Sequence, residues 1–264
     1  MLSEVLPIRS GMVVALVGAG GKTTTMFRLA AELAALGQRV ITTTTTHIYP
    51  PDAAQTEALV LAPVPPASRR LFGVGAPTRA LLLECARDAL ASHTHITVAL
   101  EAATEGKLRG LPPEWVADLR DLPGVAGVLV EADGAKKCII KAPAAYEPVI
   151  PACTDLVLLL ASASALGQPL SETIAHRVEQ ITAVTGLAPG DIITPHALST
   201  LATSHDGLLK GRPAGAAAIL VLTHIEKQQL EQARATAKLS LASERLAGVL
   251  LCSLEWAEYL PYAL

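Results

Sequence analysis

The chain of 264 residues is poor in aromatic side chains, which make up 3% of it, and it contains no asparagine. Hydrophobic residues nevertheless account for 51%, so a sizeable core is available and it has to be built from aliphatic side chains. The length is that of one large domain or a main domain with a small addition. We therefore expect residues 1–264 to form a single domain.

Long basic runs and long apolar runs are also missing. The formal net charge is −3, which argues against nucleic acid as a partner. No apolar stretch reaches the roughly 20 residues that a membrane-spanning helix needs, so we expect no membrane segment. Glu4 and an apolar segment that leads directly into a glycine-rich turn are unlike a signal peptide. We expect a cytoplasmic protein.

The four cysteines are scattered along the chain without a short paired spacing. This pattern argues against a structural zinc site and for a reducing compartment. Cys138 lies close to an acidic motif described below, and both a functional thiol and a small apolar filler stay open for it.

A glycine-rich turn at residues 18–25 is the most informative stretch of the chain. It reads Gly-Ala-Gly-Gly-Lys-Thr-Thr-Thr, follows an apolar run at 12–17 and precedes a helical pattern. Glycines allow a tight turn whose N–H groups surround phosphate oxygens, and the helix N-terminus adds a partial positive charge. Lys22 would reach the terminal phosphates as a catalytic residue, and Thr23 would hold Mg²⁺. The predicted nucleotide-binding residues are Gly18, Ala19, Gly20, Gly21, Lys22, Thr23 and Thr24.

This loop is shorter than the standard Walker A pattern, which has four residues between its first glycine and Gly-Lys. Here only two residues separate Gly18 from Gly21. The shortened spacing resembles the phosphate loop of Mur-type ligases. A Rossmann dinucleotide site is disfavoured because the third glycine is missing at its usual spacing.

Five threonines at 42–46 and then His47 end the next predicted strand. Ligands of open α/β sheets bind at the carboxyl ends of the strands. Thr45, Thr46 and His47 are therefore candidate substrate contacts, and His47 is suited to acid–base work near neutral pH. The β propensity of threonine and an ordinary loop histidine explain the same pattern equally well.

A later apolar strand, at 127–130, leads into two carboxylates, Glu131 and Asp133. Paired acids at such a strand end fit a Walker B role, in which they hold Mg²⁺ and orient water. Because alternate strand residues point to the same side, we expect both to act as catalytic residues and to bind the metal together with Thr23.

Strand-like and helical patterns alternate along the chain. This alternation predicts an α/β fold of the three-layer P-loop NTPase type, with a mostly parallel sheet and helices on both faces. Residues 51–77 are proline-rich and predict an irregular excursion with one short strand near 58–61, and residues 255–264 predict a C-terminal tail. Residues 171–185 predict one helix that carries Arg177. Lys136 and Arg177 are candidates for holding an anionic substrate.

Several motifs carry a family resemblance in combination. They are residues 17–24, 43–48 and 130–136, the last with 141–143 and 147–151. Together they resemble the accessory proteins of selenium-dependent hydroxylases, the YqeC-like family, over almost the full chain. The resemblance implies a P-loop protein associated with molybdenum hydroxylases that carry a labile selenium.

The missing asparagine bears on the choice of nucleotide. Proteins of this kind often carry an Asn-Lys-x-Asp stretch after a late strand, which in GTPases recognises guanine. Here residues 222–226 read Leu-Thr-His-Ile-Glu, so only Glu226 is left as a carboxylate for that role. We therefore expect Mg²⁺ and ATP as cofactors, with GTP less favoured.

Three functions stay open at this point. The first is a Mg²⁺-dependent NTPase that serves as a maturation factor, with a molybdenum hydroxylase or its cofactor as partner. The second is a Mur-like ligase or a small-molecule kinase, which the shortened loop favours. The third is a binding protein that switches with nucleotide and does not catalyse a reaction.

Overall fold

The computed structural model describes residues 1–63, 79–253 and 257–261. Within these ranges the helices are α1 Leu2–Val5, α2 Lys22–Ala35, α3 Arg79–Leu90, α4 Val116–Arg120, α5 Val178–Thr185, α6 Pro195–Thr203 and α7 Leu230–Leu241. The strands are β1 Met12–Gly18, β2 Arg39–Thr44, β3 His47–Ile48, β4 Ala58–Leu61, β5 His95–Ala99, β6 Glu101–Ala102, β7 Leu108–Arg109, β8 Val125–Glu131, β9 Ile140–Lys141, β10 Leu156–Ser162, β11 Ala175–His176, β12 Ala217–Thr223, β13 Gly248–Cys252 and β14 Ala257–Pro261.

Nine of these strands form one sheet in the order β14-β13-β12-β10-β1-β8-β2-β5-β4. Each neighbouring pair runs parallel except β13 and β14, which are antiparallel. The strand that leads into the glycine-rich turn, β1, is central, between β10 and β8. Because the carboxyl ends of parallel strands lie at one edge, the loops after β1, β2, β8, β10 and β12 meet there.

Helices cover both faces of the sheet. On one face α1 and α2 pack on side chains such as Val14 and Leu16. The alternate residues Ala15 and Val17 point to the opposite face, where α5, α6 and α7 complete the core. Helices α3 and α4 cover the rest of that second face, over β5 and β8. The predicted three-layer α/β fold is confirmed, and these packed side chains are mainly aliphatic, as the composition requires.

The predicted helix 171–185 is wrong in its first half. Ala175–His176 form β11, which pairs parallel to β9, and α5 begins only at Val178. Arg177 stands between them with a left-handed backbone, φ 68°. The apolar spacing of the segment is helical, but pairing with β9 and the ion pair of Arg177 described below override it.

The predicted excursion and tail are described in part. The short strand expected near 58–61 is present as β4 at the sheet edge, whereas residues 64–77 of the predicted excursion lie outside the described residues. Residues 257–261 of the predicted tail form β14, so this part belongs to the sheet. The remainder of the tail is also outside the described ranges. In the part of the chain that the structure describes, no helix is both long and apolar enough to cross a bilayer.

A buried histidine on β5 predicts a dependence of stability on pH. His95 is 3% exposed, and its Nε2 lies 3.1 Å from the Thr42 hydroxyl oxygen. Burial lowers the pKa of His95 from 6.5 to about 4. Between these values the unfolded chain binds a proton that the folded chain refuses, so stability is full above the unfolded pKa and falls as the pH falls.

We expect this histidine to remove up to about 3 kcal/mol of unfolding free energy between pH 7 and pH 4. Urea unfolding of the wild type and of His95→Gln at a series of pH values measures it, since the variant keeps the other titrating groups. On acidification the wild type should lose more unfolding free energy than His95→Gln, so the variant should become more stable relative to the wild type. A difference that stays constant with pH would contradict the assignment.

Candidate functional site

The turn after β1 needs glycine at two positions for steric reasons. Gly18 and Gly20 have φ values of 96° and 81°, which L side chains rarely adopt. A Cβ on Gly18 would overlap the carbonyl oxygen of Leu160, and one on Gly20 would lie 2.7 Å from that of Ile139. The turn is thus folded tightly against neighbouring backbone, and α2 begins at its end. The first N–H groups of that helix have no partner within the helix.

Lys22 brings the glycine turn and the acidic strand end together. Its side chain is buried, and Nζ donates a hydrogen bond to the Gly18 carbonyl oxygen at 2.7 Å. The same nitrogen lies 3.1 Å from Asp133 Oδ1 and 3.8 Å from Glu131 Oε1. The predicted phosphate-binding lysine and both predicted carboxylates therefore converge at one point on the sheet edge.

Thr23 and Glu131 lie side by side. The Thr23 hydroxyl donates to Glu131 Oε2 at 2.7 Å. Burial raises the pKa of Glu131, although the charge of Lys22 and the Thr23 hydrogen bond oppose the rise. A hydroxyl oxygen and a carboxylate oxygen are ligands that Mg²⁺ accepts. Among the described residues no three His, Cys, Asp or Glu side chains converge as a metal site, so a metal held here would need further oxygens from a ligand.

Asp133 has different surroundings from Glu131. Its Oδ2 accepts a hydrogen bond from the backbone N–H of Gly18 at 3.0 Å and lies 2.9 Å from Lys141 Nζ. Its Oδ1 is buried and has the Lys22 ammonium at 3.1 Å, but in a geometry that does not make a hydrogen bond. Asp133 thus holds the glycine turn through the Gly18 N–H, whereas Glu131 contacts Thr23.

A chain of alternating charges leads away from Asp133. Lys141 is 1% exposed, and its Nζ lies 2.7 Å from Glu147 Oε2 and 2.6 Å from the Gly134 carbonyl oxygen. Arg177 binds both carboxylate oxygens of Glu147, at 2.6 and 3.0 Å. Burial works against ionisation of Glu147, but the hydrogen bonds from Arg177 and Lys141 outweigh it and hold its pKa below the ordinary value.

This network includes Arg177, which the sequence predicts as a substrate contact. In the structure its guanidinium is bound to Glu147. The sequence analysis did not predict that Lys141 and Glu147 form a buried ion pair. The available signal was a lysine directly after two isoleucines: such an apolar neighbourhood suggests burial, and a buried lysine needs a carboxylate partner.

Only some of the other predicted substrate residues contact the strand end that carries Glu131. The Thr45 backbone N–H donates to the Glu131 carbonyl oxygen at 3.2 Å, but the Thr45 hydroxyl is bonded to the Val149 carbonyl oxygen at 2.6 Å. The Thr46 hydroxyl lies 3.3 Å from that of Thr44. His47 and Lys136 are exposed, and no described hydrogen bond or ion pair joins either of them to the glycine turn.

The end of β12 contacts the turn from the other side, which sequence reasoning did not predict. The Thr223 hydroxyl donates to the Gly20 carbonyl oxygen. His224 follows with a left-handed backbone, φ 51°, and its Cε1 would lie 3.6 Å from a Cβ on Gly21. The signal was the polar pair Thr-His at the end of an apolar strand, the same type of pattern as at 42–47.

The family model of the YqeC protein matches residues 14–179, a range that holds the glycine turn, both carboxylates and Arg177. The chain belongs to the YqeC family. The uncharacterized protein YqeC of Escherichia coli (strain K12) is 30% identical over 209 residues, which are 77% of this chain and 72% of that protein. The similarity therefore extends over most of both chains, and the YqeC resemblance of the sequence motifs is confirmed.

Proposed function

We propose that this YqeC family member binds Mg²⁺ and ATP at the carboxyl edge of the sheet, hydrolyses the nucleotide, and acts as an accessory factor in the maturation of a selenium-dependent molybdenum hydroxylase. The observation that carries the proposal is the convergence of Lys22, Thr23 and Glu131 at the glycine turn. Family membership and the motif resemblance support the accessory role.

Binding of a triphosphate has a clear physical basis in this loop. Backbone N–H groups of the turn and of the first turn of α2 are suited to donate to phosphate oxygens, and the helix dipole favours their negative charge. Lys22 exchanges its bond to the Gly18 carbonyl oxygen for a phosphate oxygen. Asp133 keeps the Gly18 N–H, so the turn stays braced while the lysine moves.

The residues present fit a magnesium ion bound together with the nucleotide. Thr23 and Glu131 offer two adjacent oxygens, and Mg²⁺ usually takes few protein ligands and completes its shell with phosphates and water. When bound, the ion would neutralise charge on the phosphates. Glu131 would orient water, Lys22 would stabilise charge on the transferred phosphoryl group, and positioning supplies most of the catalysis.

The test is the release of inorganic phosphate from ATP by the wild type and by Glu131→Gln. We expect the variant to lose about 100- to 1000-fold in turnover, the range for removal of one charge-organising group. Glu101→Gln is the matched control, because Glu101 lies on β6 and is half-exposed beside Arg109. Equal turnover in the wild type and Glu131→Gln, or equal losses in both variants, would contradict the proposed role.

One observation favours phosphoryl transfer to an acceptor as a second candidate. Lys107 and Lys137 come from different loops, and their Nζ atoms lie 5.4 and 5.8 Å from the ring centre of Tyr49. Tyr49 is 56% exposed, so its ring and the two ammonium groups over it form an exposed, positively charged patch suited to an anionic acceptor. Measuring ADP together with inorganic phosphate decides between the two. Equal amounts in the absence of any acceptor mean hydrolysis, and ADP without phosphate in the presence of an acceptor means transfer.

A further inference from the structure

A cleft adjoins the glycine turn on the side away from Lys22 and the carboxylates. Its cavity volume is about 80 Å³ and it is open to solvent, and its described lining consists of Leu2, Gly21, Thr24, Thr25, Arg28, Thr223, His224, Cys252 and Ser253. A ligand in this cleft would therefore be only partly enclosed. Gly21 and Thr24 belong to both the turn and the cleft, so a ligand whose phosphates lie on the turn can extend into it.

Two walls of the cleft are fixed relative to the turn. The Thr223 hydroxyl holds the Gly20 carbonyl oxygen, which ties the end of β12 to the loop. Cys252 contributes an apolar surface, because its thiol is buried against the Leu222 carbonyl oxygen at 3.5 Å, and burial raises its pKa to about 11. It therefore stays a neutral thiol near pH 7.

We propose that this cleft binds the nucleoside of the nucleotide and that it selects adenine over guanine. The inference rests on the proposed phosphate site, because it takes the turn as the anchor of the triphosphate. It goes beyond that site by assigning residues from α2 and from the ends of β12 and β13 to recognition of the base.

The hydrogen bonds of His224 are the observation that favours adenine. Thr223 gives its one hydroxyl proton to the Gly20 carbonyl oxygen, so we assign the proton of its 2.9 Å contact with His224 Nδ1 to the ring nitrogen, which Ser162 Oγ also approaches at 3.3 Å. In the neutral ring Nε2 is then an acceptor. Adenine offers its exocyclic amino group as the matching donor, whereas guanine has a carbonyl oxygen at the equivalent position.

The positions of the acidic residues also favour adenine over guanine. Guanine is usually read by a carboxylate that accepts from its ring N–H and amino groups, and the described lining of the cleft contains no carboxylate. Glu226, the carboxylate that the sequence left for this role, accepts from Gln228 Nε2 at 2.9 Å and is not among these lining residues. Arg28 adds a planar guanidinium suited to stack on a base.

The experiment measures by calorimetry the binding of tripolyphosphate, ATP and GTP, each with Mg²⁺, to the full chain. We expect ATP to bind at least about 10-fold more tightly than tripolyphosphate and more tightly than GTP, as a set of base contacts provides. His224→Asn keeps a residue that tolerates the left-handed backbone. It should lose about fivefold in ATP affinity, the effect of one hydrogen bond, with tripolyphosphate unchanged.

Arg28→Trp would fill the cleft and should lower the affinity for ATP to that for tripolyphosphate. Arg87→Trp, at an exposed position of α3 on the other face of the sheet, is the matched control. ATP and tripolyphosphate binding equally tightly, or GTP binding more tightly than ATP, would overturn the inference and leave the phosphate site intact. No binding of any of the three compounds would instead overturn the proposed function.

Discussion

Replacing Lys22 by alanine is expected to lower the affinity for Mg²⁺ and ATP about 10- to 100-fold, the contribution of a hydrogen bond between charged groups. Turnover should fall further, by about 100- to 1000-fold, because the ammonium is worth most where charge develops on the transferred phosphoryl group. The reason is its position: Nζ sits at the turn between the Gly18 carbonyl oxygen and both carboxylates.

The fold should survive this substitution well enough for the measurement. Asp133 keeps Lys141 and the Gly18 N–H as partners when Lys22 is removed, so its charge stays compensated. Binding by calorimetry and phosphate release are measured on a variant whose cooperative unfolding has been verified. Lys238→Ala is the control, since Lys238 is an exposed lysine on α7 and belongs to neither proposed site. Nucleotide affinity and turnover that match the wild type would sink the phosphate-loop assignment.

Replacing Lys141 by methionine should give the largest loss of stability. Lys141 is 1% exposed and lies within 2.9 Å of carboxylate oxygens of both Asp133 and Glu147. Methionine fills a similar volume but leaves these buried carboxylates without the ammonium between them. Breaking a buried ion pair from one side typically costs about 3 to 5 kcal/mol.

Urea unfolding measures this loss directly. Lys238→Met makes the same chemical change at an exposed position in the last turn of α7 and should alter the unfolding free energy by less than about 1 kcal/mol. Comparable values for the two variants would show that the buried network does not hold the fold. A lower affinity for ATP in the folded Lys141→Met protein is expected as well, because Asp133 positions the Gly18 N–H.

The parts that local sequence determines were predictable. A glycine turn between an apolar strand and a helix fixes the backbone of residues 18–21, since those glycines occupy backbone angles that other residues avoid. Alternation of strands and helices predicts a parallel sheet, and parallel strands bring the ends of β1 and β8 to one edge. The convergence of Lys22, Glu131 and Asp133 follows from these two facts.

Long-range pairing was not predictable in the same way. Arg177 and Glu147 are 30 residues apart, and their meeting depends on the register of β9 and β11, which no local pattern specifies. The ion pair and the strand pairing then prevent the predicted helix start. Thr45 likewise carries a hydroxyl suited to a ligand, but in the fold this hydroxyl donates a hydrogen bond to the Val149 carbonyl oxygen, 104 residues away in the chain.

The most direct test of the account is a crystal structure of the chain with Mg²⁺ and a non-hydrolysable ATP analogue. The account predicts the metal at about 2.1 Å from the Thr23 hydroxyl oxygen, with Glu131 beside it directly or through water. Lys22 Nζ should have left the Gly18 carbonyl oxygen for a phosphate oxygen at about 2.8 Å. Phosphates bound away from residues 18–24, or Lys22 still bonded to Gly18 with the analogue present, would contradict it.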